Sequence, residues 1–339
     1  MDTLSHALLG AAIGQCVLGR RVGNRALAAG ALVALLPDID VPIGQWLGDA
    51  AALTFHRGIT HSLLFATVVA LGVGALLARL WPAAGWRPWA AMSAAVLASH
   101  LALDAFTSYG IQLLLPFSDR SFALASVSVI DPLYTLPLLV MVLIIPWLAR
   151  PRLVRTGLAV AGIALSTCYL GATLVAKHHV EGQFAGGFAA AGIEPRRLFV
   201  KPTMFNSLLW RAIAETDDGY QVGFYSLLDE RAPAEFIHFP GNDHLLDGYR
   251  ESAVVADLVK VSDGYYQVVA EGGELLFHDL RYGRAFEWLG DDRPHVFTYR
   301  LLREQGRVVD METLSLQVDR ERDRETFQAL VARALGCCG

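Results

Sequence analysis

Residues 96–105 have the sequence Val96-Leu97-Ala98-Ser99-His100-Leu101-Ala102-Leu103-Asp104-Ala105, an apolar run interrupted by one histidine and one aspartate. A spacing of four places these two side chains on one helix face, with Cβ atoms about 5–6 Å apart, close enough to share a metal ion. Ionisable side chains are costly inside a bilayer and tend to mark functional sites there. The run therefore predicts a helix of a membrane domain that carries a metal site. The alternative is a His–Asp pair that only stabilises the helices by hydrogen bonding.

The composition indicates two kinds of structure in one chain. Of the 339 residues, 54% are hydrophobic and only 18% are charged, and the mean hydropathy is +0.39. This is too apolar for an ordinary soluble enzyme and too charged for a pure membrane bundle, which favours a membrane half and a soluble half. The net charge of −5 provides no basic footprint, so we expect no nucleic-acid partner.

Six apolar segments lie within residues 1–176, which we predict to be a membrane all-α helical bundle of about six apolar helices. The first two are shorter than the ~20 residues that span the hydrocarbon, so they either thin the bilayer or pack as half-helices inside the bundle. The segments are Leu4–Leu18, Ala26–Leu36, Ser62–Trp81, Trp89–Tyr109, Pro132–Leu148 and Leu153–Ala176.

Residues 180–339 show the alternation and turn residues of a soluble α+β domain with an antiparallel sheet. The predicted strands are Trp210–Glu215, Tyr220–Leu227, Leu258–Val261, Tyr265–Ala270, Leu275–Leu280 and His295–Leu302. The predicted amphipathic helices are Asn242–Val259 and Arg320–Leu335.

Arginine placement orients the predicted bundle. The loops after segments one, three and five carry eight arginines, whereas the loops after segments two and four carry only Arg57 and Arg120. The positive-inside rule places the arginine-rich loops in the cytoplasm. We therefore predict a multi-pass protein of a bacterial inner (plasma) membrane, with the lipid bilayer as a partner and the soluble domain in the periplasm. The eight arginines are Arg20, Arg21, Arg25, Arg79, Arg87, Arg150, Arg152 and Arg155.

Seven potential metal ligands converge at the outer face in this topology. Imidazole and carboxylate ligands without paired cysteines favour Zn²⁺, with Mn²⁺ as the alternative. Such ions activate water and stabilise charge on a phosphoryl oxygen, which is hydrolytic chemistry. We expect one or two ions. The ligands are His6, Asp38, Asp40, His56, His61, His100 and Asp104.

Several of these roles have alternatives. Asp38 and Asp40 lie in a turn broken by Pro37, and solvated aspartates at a helix end would have the same pattern. Which of this pair, and which of His56 and His61, binds the metal directly stays open. His6 lies at the right depth to complete a second metal site together with Asp40.

Three residues are candidates for catalysis. Arg57 is suited to neutralise an anionic substrate oxygen, or alternatively to anchor at lipid headgroups. Asp40 or Asp131 is placed to accept a proton. Asp131 precedes Pro132, so the alternative role for Asp131 is the N-cap of the fifth segment.

Four stretches of the sequence, which follow one another in the order of the list below, resemble the YdjM family. This family comprises bacterial inner-membrane proteins described as metal-dependent hydrolases. The resemblance covers roughly residues 1–150, and residues around Trp210-Arg211 and Asp279–Gly283 look like a soluble extension found in one branch of that family. The stretches are Met1–Gly10, Leu36–Asp40, His56–Ser62, and His100–Asp104 with Ser108-Tyr109-Gly110.

The family is distantly similar to zinc-dependent phospholipase C and the S1/P1 nucleases. This resemblance implies a phosphoesterase, which we expect to act on a lipid or lipid-linked phosphoester. The later histidines and the His-x-x-x-Glu of that superfamily have no counterpart here, so we do not expect a full trinuclear site. The rival interpretations are a metal-stabilised scaffold whose soluble domain binds a partner, and an ion transporter. The residues that follow the superfamily's order are His6, Asp38, His61, His100 and Asp104.

Overall fold

The predicted apolar segments lie on helices in the computed structural model, which describes residues 1–148, 152–285, 287, 294–314 and 320–336. The chain divides into two compact units. The first consists of Met1–Ile43, Phe55–Val175 and Met204–Ser207, and the second of Gly44–Thr54, Ala176–Thr203 and Leu208–Gly339. Eight helices precede the first strand within the described residues: α1 (Thr3–Val22), α2 (Asn24–Ala34), α3 (Asp40–Leu47), α4 (Asp49–Phe55), α5 (Leu63–Leu80), α6 (Trp86–Ala105), α7 (Pro132–Ile144) and α8 (Arg152–Ala190).

Few of these helices are both long enough and apolar enough to cross a membrane. Two do so within the described part of the chain, Leu63–Leu80 and Leu153–Ala190. A third is possible if Asn24–Ala34 and Pro37–Leu47, which meet at a bend of 47°, form one broken span. The predicted count of six membrane helices is therefore not confirmed, whereas the helical nature of this half of the chain is confirmed.

Glycines allow α1 and α2 to pack with their backbones almost in contact. A Cβ atom added at Gly14 would lie 2.1 Å from the carbonyl oxygen of Ala26, and one added at Gly30 would lie 2.1 Å from that of Gly10. Small residues permit such close approach, which is the usual way that helices pack in membranes.

Helix α6 lies in the apolar core of the first unit. Its buried side chains contact the core residues of α2 and α5, and its last two turns carry His100 and Asp104. Two short 3₁₀ turns carry the other conspicuous polar residues: Pro37–Ile39 follows α2, and Ile59–His61 precedes α5. The side chain of Ser62 caps α5 by accepting a hydrogen bond from the Phe65 N–H at 3.1 Å, which fixes where the second turn ends. The buried apolar residues of α6 are Trp89, Ala90, Met92, Val96, Leu97, Leu101 and Leu103.

The second unit contains two four-stranded sheets rather than one. Both are antiparallel, with strands in the order β1-β2-β3-β4 and β5-β6-β7-β8. The predicted antiparallel α+β character is therefore confirmed. The strands are β1 (Arg197–Pro202), β2 (Leu209–Thr216), β3 (Gly219–Ser226), β4 (Ile237–Pro240), β5 (Tyr266–Glu271), β6 (Glu274–Asp279), β7 (Thr298–Glu304) and β8 (Arg307–Leu314).

The predicted strand Leu258–Val261 is wrong. These residues form the last turn of α9 (Ala253–Val261), in which Val255 and Leu258 are buried on one face. Burial at a spacing of three is a helical pattern, and it prevailed over the β propensity of the valines. The predicted helix Asn242–Val259 is correspondingly shorter at its start, because Asp243–Leu246 form a separate 3₁₀ turn. Helix α10 (Arg320–Ala334) lies where a helix was predicted.

The close contact of α1 with α2 predicts a strong effect of added volume. We expect Gly30→Val to lower the free energy of unfolding by about 1–3 kcal/mol, because the valine Cβ has no room beside the Gly10 carbonyl. Gly72→Val is the matched control, since a Cβ added at Gly72 meets nothing within 4 Å. Thermal unfolding of both variants in detergent measures the difference, and equal stabilities would contradict the packing described.

Candidate metal centre

Four predicted ligands come together at one point of the first unit. Each contributes one ligand atom, and these atoms all lie within 4.8 Å of one another. His61 Nε2 is 3.2 Å from His100 Nε2 and 3.3 Å from Asp104 Oδ2. Asp38 Oδ1 lies 3.6 Å from His61 Nε2 and 3.7 Å from His100 Nε2. The residues of this cluster, called the four-residue cluster below, are Asp38, His61, His100 and Asp104.

These distances fit a tetrahedral ion. Zinc binds histidine nitrogen and carboxylate oxygen at about 2.0–2.2 Å, and a tetrahedron with such bonds has ligand atoms roughly 3.3–3.6 Å apart. The five separations given by the structure, including 3.6 Å between His100 Nε2 and Asp104 Oδ2, run from 3.2 to 3.7 Å. The donor set of two imidazoles and two carboxylates suits Zn²⁺ or Mn²⁺. The residues present therefore fit a divalent metal ion.

A backbone carbonyl orients His100. Its Nδ1–H donates to the carbonyl oxygen of Ala34 at 2.8 Å, which leaves the lone pair of Nε2 facing the cluster. Histidines that bind metals usually donate their second N–H in this way, because the bond fixes both the tautomer and the ring orientation.

Asp40 orients His61 in the same manner. Asp40 Oδ2 lies 3.2 Å from His61 Nδ1 and accepts hydrogen bonds from the Arg57 N–H at 2.8 Å and from Thr60 Oγ1 at 2.9 Å. The carboxylate is fully buried and lies on the far side of the His61 ring from Nε2. The structure thus places Asp40 behind His61 and outside the four-residue cluster.

Asp104 uses its two oxygens differently. Oδ1 accepts from Arg57 Nη2 at 3.0 Å, contacts His6 Nε2 at 3.2 Å, and also contacts the amino group of Met1. Oδ2 is turned toward His61 and His100 but accepts no well-aligned hydrogen bond from any described residue. A buried carboxylate oxygen in that state is suited to a metal, because an unpaired buried polar atom is costly.

His6 is next to the cluster but not part of it. Its ring stacks on that of His100 with centroids 3.7 Å apart, and its Nδ1 is buried without a hydrogen-bond partner among the described residues. The predicted second site joined His6 to Asp40. In the structure His6 contacts Asp104 whereas Asp40 contacts His61, so the two support different members of the cluster.

Arg57 is buried rather than placed at a surface. Its side chain is 7% exposed, and Nη1 donates to Thr107 Oγ1 at 2.8 Å. Its backbone adopts a φ of 57°, a conformation that non-glycine residues keep only where the surroundings enforce it. Arg57 therefore neutralises Asp104 in this structure and does not extend outward as a headgroup anchor.

The side chain of His56 is more exposed to solvent than the side chain of any member of the four-residue cluster. Its side chain is 30% exposed, and Nδ1 lies 3.3 Å from Asp40 Oδ1. The His56 ring is 6.2 Å from that of His61 and 5.2 Å from that of Tyr109. The structure thus places His56 beside Asp40 and outside the four-residue cluster.

Asp131 belongs to another network. It is the N-cap of α7 and accepts from the Leu133 N–H at 3.0 Å, which is the alternative that its position before Pro132 indicated. Its Oδ2 also accepts from Tyr169 Oη at 2.8 Å and from Ser207 Oγ at 2.9 Å. With both oxygens engaged outside the four-residue cluster, Asp131 is a structural cap in this arrangement.

The electrostatics of the cluster favour a cation. Burial alone would lower the pKa of His61, but the nearby carboxylates of Asp104, Asp38 and Asp40 raise it to about 10. Asp38, with 20% of its side chain exposed, is the one member that is not fully buried. Solvent therefore reaches the cluster from the side of Asp38.

The first 180 residues match a family model described as the YdjM inner membrane protein. The chain belongs to the YdjM family. The matched residues include the whole four-residue cluster and Arg57, and the family assignment from the sequence motifs is confirmed.

Two relatives of this YdjM-family chain are similar over part of their length. YbcI, an inner membrane protein of Escherichia coli (strain K12), is 38% identical over 123 residues, which make up 35% of this chain and 69% of YbcI. YfhP of Bacillus subtilis (strain 168) is 32% identical over 142 residues, which make up 39% of this chain and 42% of YfhP. No solved structure matches the chain.

Sequence reasoning missed the residues that support the ligands. The Ala34 carbonyl, Thr60 and Thr107 each hold a charged or ligating side chain in place. Thr60 directly precedes His61. Its position beside a predicted ligand was therefore a local indication that Thr60 supports the cluster. Nothing in the sequence marks a backbone carbonyl 66 residues away from His100.

A variant of Asp40 tests whether this residue binds the metal itself or only orients His61. We expect Asp40→Asn to retain metal but to weaken its binding about 10- to 100-fold, because the amide orients His61 less well without being a ligand itself. Competition with a chelator measures the Kd of zinc for the detergent-purified protein. Asp247→Asn is the control, since Asp247 is exposed in the second unit. Complete loss of metal would show that Asp40 is a ligand, and an unchanged Kd would show that it does not support His61.

Proposed function

We propose that this protein is a membrane-bound, metal-dependent hydrolase that acts on a phosphoester of a lipid or lipid-linked substrate. One observation carries the proposal: two imidazoles and two carboxylates bring one ligand atom each within 4.8 Å of one another in an apolar helical unit. Membership of an inner membrane protein family and the candidate spans support the location.

The four-residue cluster would hold one divalent ion, most favourably Zn²⁺ and alternatively Mn²⁺. Such an ion supplies Lewis-acid chemistry, which activates water and stabilises negative charge on a phosphoryl oxygen. The chain's own contribution is to fix the ligands: the Ala34 carbonyl orients His100, Asp40 orients His61, and Arg57 holds Asp104.

Proton transfer falls most naturally to His56. Histidine is the commonest general acid–base, and this one is partly exposed beside the cluster, with its Nδ1 held by Asp40. Asp40 itself accepts several hydrogen bonds and is fully buried, and Asp131 caps α7. We therefore assign to His56 the role that the sequence suggested for Asp40 or Asp131.

The substrate class follows from location. The cluster lies in a unit whose helices include the candidate spans, and Asp38 provides its solvent-accessible side. A phosphoester embedded in the bilayer surface would approach laterally. Arginine placement favours the outer leaflet and a periplasmic second unit.

A second function has an observation in its favour. Four protein ligands complete a tetrahedral shell, and closed shells are typical of structural metal sites. Three of the four are buried to 1% exposure or less. This favours a metal-stabilised scaffold whose soluble domain binds a partner. The partial exposures of Asp38 and His56 favour the hydrolase instead.

A variant of His56 distinguishes the two functions. We expect zinc-loaded wild-type protein to hydrolyse a phosphoester in a screen of phospholipids in mixed micelles. His56→Asn should lower kcat about 10²- to 10⁴-fold, because a general acid–base is lost, while the bound metal stays at the wild-type level. His178→Asn is the control, since His178 is an exposed histidine on α8. Full metal occupancy without hydrolysis of any phospholipid would contradict the hydrolase and support the scaffold.

A further inference from the structure

Two sequence motifs of the second unit meet in space although the metal centre uses neither. Trp210-Arg211 lies on β2, and Asp279–Gly283 begins at the last residue of β6 in the other sheet. Arg211 Nη1 donates to the Leu280 carbonyl at 2.8 Å. The guanidinium of Arg211 therefore lies against the backbone of the second motif.

Arg211 is buried with one donor unused. The side chain is 4% exposed, and its Nε pairs with Glu287 Oε2 at 2.6 Å. Its Nη2, however, has no hydrogen-bond partner among the residues that the structure describes. Gly283 adopts a φ of 66°, and a Cβ there would lie 2.7 Å from this same Nη2. The glycine thus lets the guanidinium of Arg211 and the carboxylate of Glu287 pack directly against the backbone at this point.

Lys201 lies directly opposite Arg211 in the pairing of β1 with β2. It is 8% exposed, and its Nζ lies 4.8 Å from the centre of the Tyr282 ring. Its ammonium donates no hydrogen bond to any described side chain or carbonyl. Burial, reinforced by the neighbouring charge of Arg211, lowers the pKa of Lys201 to about 7. An ammonium in this position lacks the partner that buried charges normally require.

The nearby carboxylates are already engaged. Asp279 forms a two-pronged pair with Arg281, at 3.1 Å to Nε and 2.6 Å to Nη2. Glu287 is held by Arg211. Among the described residues, Asp279 and Glu287 each pair with a guanidinium rather than with Lys201.

We propose that Lys201 and Arg211 form a binding site for the phosphate group of a ligand. An ammonium beside a guanidinium is a common arrangement for phosphate, because the former acts as a point charge and the latter supplies directed N–H donors. A phosphodiester carries one negative charge, which both cationic side chains would attract. Tyr282, which is only partly buried, lies beside Lys201.

The site is independent of the metal centre. It lies in the second unit, requires no metal, and its test needs no hydrolytic activity. A phosphate site here would be compatible with either a hydrolase or a scaffold.

The lysine content of the chain provides a direct test. The chain has only three lysines, Lys177, Lys201 and Lys260, and Lys260 is exposed in the same unit. The full-length protein in detergent is treated with acetic anhydride, and the acetylation rate of each lysine is followed by peptide mass spectrometry. We expect saturating phosphate ligand to slow acetylation of Lys201 about tenfold or more while Lys260 is unaffected.

Separate probes identify the source of the phosphate. Inorganic phosphate represents a soluble ligand, dioctanoyl phosphatidylglycerol represents a lipid headgroup, and acetate tests for a carboxylate. Protection by either phosphate compound supports the site and names its source. Protection by acetate as strong as by the phosphate compounds, or protection by none, would overturn the proposal.

A variant provides a second measurement. Lys201→Met keeps an unbranched side chain of similar size and removes the charge, so the protein should stay folded. We expect the phosphate compound that protects Lys201 to raise the Tm of the wild type and of Lys260→Met but not of Lys201→Met. An equal rise in Tm in all three proteins would contradict a role for Lys201.

Discussion

The cost of burying ionised groups in an apolar bundle is the constraint on which the first unit depends. Asp104 is fully buried in the core that α6 forms with its neighbours, and removing a carboxylate from water costs several kcal/mol unless it is paired. The contacts of Asp104 with Arg57 and with the surrounding imidazoles offset this desolvation cost. Each of them in turn must be held: Arg57 by Thr107, His61 by Asp40, and His100 by a carbonyl of α2. The cluster is thus assembled by the packing of α2, α6 and two 3₁₀ turns.

The same constraint explains why a cation is the natural occupant. Three carboxylates converge on this region, and Arg57 and the amino group of Met1 both contact the same oxygen of Asp104. The other oxygen faces two imidazole nitrogens at distances that match the edges of a tetrahedron. A metal ion would satisfy the carboxylate oxygen and both nitrogens together.

Much of the site was predictable from the sequence, because spacing on a helix is reliable. His100 and Asp104 share a face of α6 as their separation by four residues requires. The choice between Asp38 and Asp40 was not predictable. In a 3₁₀ turn residues two apart point in different directions, so one carboxylate faces the cluster and the other supports His61 from behind. The choice between His56 and His61 depended similarly on how the chain turns at Arg57, whose positive φ has no local sequence signature.

The fold was predictable to a different degree in each half. Apolar segments indicated helices, but whether a helix crosses a membrane depends on length and on bends such as the 47° break after α2, which composition does not reveal. In the second unit, alternation located most strands. It failed at Leu258–Val261, where burial on a helical face decided the structure. The convergence of Lys201 and Arg211 with the segment after β6 required the pairing of β1 with β2, which the sequence alone did not specify.

Metal content is the most direct test of the centre. Elemental mass spectrometry of the detergent-purified protein should find about one equivalent of zinc or manganese in the wild type, as four ligands of one tetrahedral site require. The folded double variant His100→Ala/Asp104→Ala should contain none. An absence of metal from the wild type, even after reconstitution with zinc and manganese, would contradict the metal centre, and so would equal metal content in the two proteins.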